Sequence, residues 1–164
     1  MNRGQVQVRA MTLADVDCVL EIVASLPNAP HWTRLTWLEV LALNHMPQRI
    51  ALVAISGETN AVVGFAVAIL VPPQAELEVI AIASPNQRRG LGHQLLAFLV
   101  EQVNQAGITE MLLEVRESNL AAISFYRSLG FKQIGNRAGY YADPVEDAVL
   151  MNLQVEICRW GLRF

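Results

Sequence analysis

A glycine-containing segment is the part of this sequence whose residue types most directly suggest chemistry. Residues 87–92 read QRRGLG, and they follow an apolar run and precede an amphipathic one. Glycines let a backbone approach an anion closely, and the free N–H groups of a helix's first turn point toward it. The segment therefore predicts a loop that binds a pyrophosphate. The alternative is that the two glycines only begin a helix and that Arg88 and Arg89 are solvated.

Two better known phosphate-binding loops do not fit this segment. The dinucleotide pattern G-x-G-x-x-G requires glycine where this chain has Leu95, and no Gly-Lys-Ser or Gly-Lys-Thr follows for a P-loop. The predicted anion site is therefore of another kind.

Glu114 and Tyr126 are the second feature with chemical potential. Glu114 lies near the end of an otherwise apolar run, and Tyr126 lies in the predicted helix that follows. A carboxylate in an apolar surrounding is disfavoured unless it is hydrated, paired or useful, so Glu114 suits a general base, and the Tyr126 hydroxyl suits a proton donor. Two alternatives stay open: a salt bridge of Glu114 with Arg116 or Arg127, and a core position for Tyr126 beside Ile123.

Hydrophobic periodicity predicts the elements that position these residues. Strands are predicted at about 6–11, 50–55, 61–71, 77–83, 111–115, from 131 onward and at 148–155. Helices are predicted from a Thr12–Asp15 cap to about 26, from Thr33 to about 43, from near Gly90 to Gly107, and from an Asn119 cap to 129. The order β-α-α-β-β-β-α-β-α-β-β predicts an α/β protein with a mixed sheet and helices on both faces.

Composition and charge exclude several classes of protein. The chain has 164 residues, of which 53% are hydrophobic and 16% charged, so one packed domain is favoured over a disordered chain. Twelve basic and fifteen acidic residues, with no run of like charge, lack the basic footprint of a nucleic-acid-binding protein. The longest apolar stretch, 61–71, is too short to cross a membrane, and the first residues lack a signal-peptide pattern. A cytoplasmic location is expected.

The cysteines show no metal-site or redox pattern. Cys18 and Cys158 lie far apart, have no C-x-x-C spacing and have no clustered histidines. No metal is therefore expected, and both thiols are predicted to be buried and reduced.

The loop and the segments after it resemble a known family. QRRGLG resembles the acyl-CoA pyrophosphate loop Q/R-x-x-G-x-G/A of the GNAT superfamily of N-acetyltransferases, whose element order is also similar. The run from Leu113 to Phe131, LEVRESNLAAISFYRSLGF, together with Tyr140-Tyr141 and residues 146–151, is similar to the RimI-type branch, the bacterial ribosomal-protein alanine N-acetyltransferases. The resemblance is strong over 77–151, weak over 6–71 and absent over 156–164, and it departs at Val79, where the family usually has Asn.

The resemblance implies a role for each matching residue. Glu114 matches the general base and Tyr126 the general acid, with Glu78 as the alternative base at the substrate. Tyr140 and Tyr141 are expected to bind an extended peptide. The implied cofactor is acetyl-CoA, without a metal, and its contacts are expected from Ile80, Ile82, Gln87, Arg88, Arg89, Gly90, Leu91, Gly92, His93 and Asn119.

The expected function is direct transfer of an acetyl group from acetyl-CoA to the N-terminal α-amine of a protein, in particular the N-terminal alanine of a small-subunit ribosomal protein. Residues 1–155 are expected to form one acetyltransferase domain, as a monomer or weak homodimer, with 156–164 as a tail of unknown role. Neither nucleic acid nor a membrane is an expected partner. The alternatives are acetylation of a lysine side chain or a small-molecule amine, and a catalytically silent acyl-CoA-binding module.

Overall fold

The computed structural model describes residues 6–42 and 46–155, which form a seven-stranded mixed sheet flanked by helices. The strands are β1 (Val6–Ala10), β2 (Arg49–Ser56), β3 (Val62–Val71), β4 (Gln74–Ile82), β5 (Glu110–Arg116), β6 (Lys132–Ala142) and β7 (Val145–Gln154). The helices are α1 (Val16–Ala24), α2 (Arg34–Val40), α3 (Leu91–Gln105) and α4 (Leu120–Ser128), with single 3₁₀ turns at Leu13–Asp15 and Ser84–Asn86. The predicted order of strands and helices is confirmed. In the sheet the strands lie in the order β1-β2-β3-β4-β5-β7-β6.

The capping residues predicted from the sequence are confirmed. Asp15 Oδ2 accepts hydrogen bonds from the Thr12 backbone N–H at 2.8 Å and the Thr12 hydroxyl at 2.9 Å. Arg9 also pairs with Asp15, at 2.7 Å, and this hydrogen bond is the main reason that the pKa of Asp15 falls to about 2. The side chains of Thr33 and Asn119 each accept a backbone N–H of the first turn, at 3.2 Å, and so begin α2 and α4. Helix α2 ends at Val40, before the predicted end.

Two apolar clusters lie on opposite faces of the sheet, as predicted from the helix order. One packs against α3 and includes Leu95, Leu99 and Met111, while the other packs against α1 and α2 around Trp37 and Phe65. The helices therefore cover both faces, and the central strands are buried between them.

Strand β4 contains a bulge that the sequence pattern hides. Val67 pairs with Val79 and the next residue of β3, Ala68, pairs with Leu77, so Glu78 is an extra residue in the strand. Leu77 packs on the α3 face, whereas Val79 packs on the α1 and α2 face. In a regular strand two residues that are two positions apart would lie on the same face. A bulge bends a strand and increases its twist. Glu78 therefore marks the point at which β4 changes course.

Strands β4 and β5 separate shortly after they begin. They pair in parallel only at Gln74 with Glu110, Ala75 with Met111 and Glu76 with Leu112. Beyond these pairs β5 remains bonded to β7, and β4 remains bonded to β3. The sheet thus opens into a wedge between residues 77–82 and 113–116, and the candidate site lies there.

The prediction of a buried Cys18 is wrong, because this thiol is exposed. Helix α1 buries Val16, Val19, Ile22 and Val23, and at 3.6 residues per turn Cys18 lies on the opposite side. Cys158 and the tail 156–164 lie outside the described residues. Within 6–42 and 46–155, none of the helices is long and apolar enough to cross a membrane.

Candidate active site

The QRRGLG segment forms the turn between β4 and α3. Arg88 and Gly90 adopt left-handed conformations, with φ of 59° and 81°, and α3 begins at Leu91. A left-handed non-glycine residue is uncommon and marks a backbone whose shape is fixed by its surroundings. No side chain caps the first turn of α3, and a Cβ placed on Gly90 would meet nothing within 4 Å. An uncapped helix start preceded by a left-handed glycine is the arrangement that an anion site requires, and binding of an anion here stays a prediction.

Gly92 has a packing role in addition to its place in the loop. A Cβ at this position would lie 3.4 Å from Cζ of Phe125 on α4 and 3.8 Å from Cγ1 of Ile82 on β4. A larger residue would push apart the N-terminal turn of α3, the end of β4 and α4. The Gln87 side chain also fixes this region, since its Nε2 donates to the Ile82 carbonyl at 2.9 Å.

The backbone of β4 offers polar groups to the wedge. Ala83 donates its N–H to the Val63 carbonyl of β3 at 2.9 Å. Successive residues of a strand direct their backbone groups to opposite edges, so the N–H groups of Ile80 and Ile82 face away from β3 and toward the unpaired gap. This direction agrees with the expected cofactor contacts, which remain a prediction.

The predicted base, Glu114, lies on β5 with its side chain turned to the α1 and α2 face, since Leu113 and Val115 pack on the other face. Its Oε1 forms an ion pair with Nη1 of Arg137 at 2.9 Å, and the Tyr140 hydroxyl donates a hydrogen bond to the same carboxylate. The carboxylate is largely covered, with 14% of the side chain exposed. It is therefore held from β6 on one side and faces the wedge on the other.

The two ion-pair partners that the sequence suggested for Glu114 are wrong. Arg116 pairs instead with Glu146 at 3.2 Å, and the Arg127 guanidinium donates to the Gln133 side chain at 3.3 Å. Arg116 and Glu114 are two residues apart on β5 and therefore lie on the same face of the strand. Arg116 nevertheless pairs with Glu146, which the neighbouring strand β7 places beside it. Arg137 was missed because its place opposite Glu114 depends on the pairing of β6 with β7.

An irregular stretch of β6 brings Arg137 and Tyr140 to Glu114. Arg137 pairs with Ala148 and Tyr141 with Glu146, so residues 138–140 lie opposite Asp147 alone. Within the stretch Gly139 has a φ of 61°, and its N–H donates to Asp147 Oδ1 at 2.8 Å. The bulge interrupts the regular alternation of side chains along β6. Arg137 and Tyr140, which are three residues apart, can therefore both reach the Glu114 carboxylate.

Tyr140 and Tyr141 lie beside Glu114, and their predicted binding of a peptide stays a prediction. The two rings meet edge to face at 5.1 Å, and the Arg116 guanidinium lies 4.1 Å from the centre of the Tyr141 ring. The hydrogen bond to Glu114 raises the pKa of Tyr140 to about 12, because it favours the protonated phenol. Burial raises the pKa of Tyr141. Both hydroxyls are therefore neutral hydrogen-bond donors at neutral pH.

The alternative base, Glu78, is engaged elsewhere. Its two oxygens accept from Nε and Nη2 of Arg49 at 2.7 and 3.1 Å, in a pair whose side chains are each 18% exposed. Glu76, two residues earlier, has no ion pair or hydrogen bond with any residue that the structure describes. Partial burial raises the pKa of Glu76, and the charges of Glu114 and Glu78 raise it further. Glu76 is thus the second carboxylate near Glu114, which the sequence analysis did not single out.

Tyr126, the predicted acid, lies on α4 on the opposite face of the sheet. Tyr126 packs with Ile123 in the apolar cluster beneath α3, and the centre of its ring lies 5.6 Å from that of Phe131. The ring of Tyr126 is therefore part of the core, which was the alternative predicted from the sequence. The hydroxyl has no hydrogen-bond partner in the described ranges. Tyr126 belongs to the buried residues of the core. Burial raises the pKa of Tyr126 and keeps it protonated.

The remaining predicted cofactor residues lie around the loop. Leu91 and His93 are in the first turn of α3, and Arg89 is exposed beside Arg88. The Asn119 side-chain oxygen is used in capping α4, which leaves its amide group for any ligand. Among the described residues no group of three or more histidine, cysteine, aspartate and glutamate side chains is placed to hold a metal.

The chain resembles known proteins in sequence and structure. The acetyltransferase (GNAT) family matches residues 19–131. The ribosomal protein bS18-alanine N-acetyltransferase of Escherichia coli (strain K12) is 41% identical over 95 residues, which cover 57% of this chain but only 64% of that relative. A Bacillus subtilis (strain 168) protein that provisionally carries the same name is 31% identical over 144 residues, covering 88% of this chain and 92% of the relative.

A solved structure extends the similarity to nearly the whole fold. The crystal structure of the ribosomal-protein-S18-alanine N-acetyltransferase from Escherichia coli superposes with a TM-score of 0.81 at 28% identity, covering 98% of this chain and 100% of that one. The match to the acetyltransferase (GNAT) family covers more than half of this sequence. The chain belongs to the GNAT family of acetyltransferases.

Proposed function

We propose that this protein transfers the acetyl group of acetyl-CoA to the N-terminal α-amine of a protein, and that its substrate is the N-terminal alanine of ribosomal protein bS18. The observation that carries the proposal is the unpaired wedge between β4 and β5, on which Glu114 is held by Arg137. Relatives named for this activity support the choice of substrate. A ribosomal substrate would place the protein in the cytoplasm.

The residues at the wedge fit acetyl-CoA. The uncapped first turn of α3 and the left-handed Gly90 suit the pyrophosphate, and Arg88 and Arg89 add positive charge beside it. The N–H groups of Ile80 and Ile82 suit the amide groups of the pantetheine arm. Acetyl-CoA, when bound, supplies an activated acyl carbonyl and a thiolate leaving group.

Glu114 acts as the base in this proposal. The α-ammonium of a peptide has an ordinary pKa of about 7.7–8.0, so a carboxylate needs to remove only one proton near neutral pH to free the nucleophile. The Tyr140 hydroxyl holds the Glu114 carboxylate while it receives that proton. The Ile82 N–H faces the gap and donates to the oxygen on which negative charge develops.

Tyr126 supplies the second proton transfer. As the amine nitrogen bonds to the acyl carbon and the carbon–sulfur bond breaks, the Tyr126 O–H donates its proton to the departing sulfur. The second proton of the nitrogen passes to solvent as the amide forms, and solvent returns a proton to Tyr126. The hydroxyl is suited to this because burial raises its pKa and keeps it protonated, and because it has no hydrogen-bond partner among the described residues. No covalent bond to the protein forms, so neither cysteine is needed.

The peptide enters on the α1 and α2 face. Tyr140 and Tyr141 provide aromatic surface and hydroxyl groups beside Glu114, as an extended chain with a free terminus requires. The protein acts as a monomer or a weak homodimer in this proposal.

A thiol-release assay tests the proposal. Purified protein, acetyl-CoA and a peptide that copies the bS18 terminus should release CoA and yield a peptide heavier by one acetyl group. The same peptide with its amine already acetylated is the matched control and should release no thiol. Release with spermidine or an N-blocked lysine peptide, but not with the alanine peptide, would assign the site to another amine. CoA binding without thiol release from any amine would make the protein a silent binding module.

A further inference from the structure

We propose that Arg137 is a positioning residue that serves as the internal counter-ion of Glu114 in the empty site and gives way to the α-ammonium of the substrate. The inference rests on the proposed function, since it assigns the incoming group as a cation. It concerns a residue that makes no contact with the predicted cofactor loop.

The ion pair is asymmetric in a way that favours exchange. The Glu114 side chain is 14% exposed and fixed on a buried strand, whereas the Arg137 side chain is 55% exposed on the edge strand β6. Because the Arg137 side chain is largely exposed, water can solvate the guanidinium when it leaves the carboxylate. A compact ammonium group can then take its place on Glu114.

The carboxylate keeps one partner when Arg137 leaves. The Tyr140 hydroxyl bonds Glu114 independently, and the bulge that carries Tyr140 is anchored separately, by the Gly139 N–H on Asp147 at 2.8 Å. The Arg137 guanidinium lies 5.6 Å from the centre of the Tyr140 ring, which offers it an alternative resting place. Exchange therefore need not disturb the geometry of the base.

Charge balance around Glu114 shows why a cation is needed in both states. The charged and titratable groups near it are Glu76 and Glu78 on β4, Arg116 on β5, Arg137, Tyr140 and Tyr141 on β6, and Glu146 on β7. Arg116 is paired with Glu146, and Glu78 with Arg49. Without Arg137, Glu114 and Glu76 would face each other with no cation of their own.

This arrangement distinguishes substrate from product. The ammonium of the substrate replaces the charge of Arg137, but the acetylated terminus is neutral and does not. Arg137 then returns to Glu114 and favours release of the product. Removing the Arg137 charge should therefore strengthen binding of the free amine and leave binding of the acetylated peptide unchanged.

Calorimetry with a matched pair of peptides tests the inference. The bS18-terminal peptide and its N-acetylated copy are titrated into wild type, Arg137→Met, Arg137→Lys and the control Arg127→Met, an exposed arginine bonded to Gln133. In Arg137→Met the free amine should bind about two- to five-fold more tightly, the equivalent of an exposed ion pair, and the acetylated peptide should bind as in wild type. Arg137→Lys should restore the wild-type value.

The inference is overturned if both peptides change affinity equally in Arg137→Met, or if the free amine binds no better. A readout without substrate keeps this result separate from the proposed function. The carboxylate ¹³C resonance of Glu114 should respond to a lower concentration of added methylammonium in Arg137→Met than in wild type, because a competing cation has been removed. An unchanged titration would overturn the counter-ion role even if the true substrate were a different amine. Absence of thiol release from wild type, with the resonance shifted, would contradict the proposed function alone.

Discussion

Strand β5 carries a glutamate near each of its ends, and the two side chains have different surroundings. Glu110 lies where β5 is paired with β4, and Glu114 lies four residues later on the same face, where the strands have separated. Glu110 accepts hydrogen bonds from neutral amides, Gln74 Nε2 at 2.6 Å and Asn152 Nδ2 at 2.7 Å, whereas Glu114 meets a cation and a phenol.

The difference shows how one strand serves both stability and chemistry. At the closed end the carboxylate joins β4, β5 and β7 through hydrogen bonds from the neutral side-chain amides of Gln74 and Asn152. At the open end the carboxylate faces a gap, and its charged partner is exposed. A glutamate at the closed end thus fixes the vertex of the wedge, and one at the open end is available to a substrate.

The largest effect is expected from Glu114→Gln, with Glu110→Gln as its matched control on the same strand face. Loss of the base should lower kcat by about 10²–10⁴-fold, because glutamine cannot accept the proton. Glu110→Gln keeps an oxygen acceptor and should remain within a few-fold of wild type. Steady-state thiol release measures both variants, and equal losses would contradict the division between the two ends.

Tyr126→Phe should lower kcat by about 100-fold, near the lower end of what an acid contributes, since a thiolate with an ordinary pKa of about 8.5 leaves readily. Affinity for acetyl-CoA should change little, because the ring packing is kept. Calorimetry and single-turnover rates separate the two quantities. A fully active phenylalanine variant would remove Tyr126 from the mechanism.

Gly90→Ala should weaken acetyl-CoA binding by about ten-fold. A left-handed alanine costs about 1–2 kcal/mol, and the loop can relieve the strain by leaving the shape that presents its N–H groups. Gly107→Ala is the matched control, because Gly107 has the same φ of 81°, with equally open space around its Cβ, at the other end of α3. Both variants should lower Tm alike, so an equal loss of cofactor affinity would argue against a specific role for the loop.

The smallest effect is expected from Glu110→Ala, which should lower the free energy of unfolding by about 1 kcal/mol because its bonds are partly screened by solvent. The amide hydrogen bonds, first that of Asn152, hold the pKa of Glu110 below its usual value. The stabilisation is therefore complete above the unfolded-state pKa, about 4.3, and is lost as the pH falls below it. Urea titrations at pH 7 and pH 3 should show a smaller difference between variant and wild type at pH 3.

Local features of the fold were predictable from the sequence because they depend on neighbours along the chain. Thr12, Thr33 and Asn119 cap their elements through bonds to residues three positions away. The helix α3 and its glycine boundaries follow from periodicity and backbone conformation. Such interactions span only one helical turn, so their pattern is visible in the residues themselves.

The partners of the acidic residues were not predictable in the same way. Glu78 was a candidate base because of its position on the fourth strand. In the structure its carboxylate forms an ion pair with Arg49 of β2, which is far away in the sequence. Arg116 is two residues from Glu114 in the sequence, which suggested an ion pair between them. Because β5 pairs with β7, Arg116 instead forms an ion pair with Glu146. Strand register between distant segments decides these contacts, and a shift of one residue would exchange the faces of all of them.

The sequence by itself determined the element order and the caps, and it singled out the QRRGLG loop, Glu114 and Tyr126 as candidates for the site. Only the tertiary structure decided that β4 bulges at Glu78, that β6 bulges beside Asp147, and that Arg137 thereby becomes the partner of Glu114. The reason is physical. Backbone propensity and helical periodicity act over a few residues, whereas bulges and ion pairs across a sheet depend on which strands lie side by side.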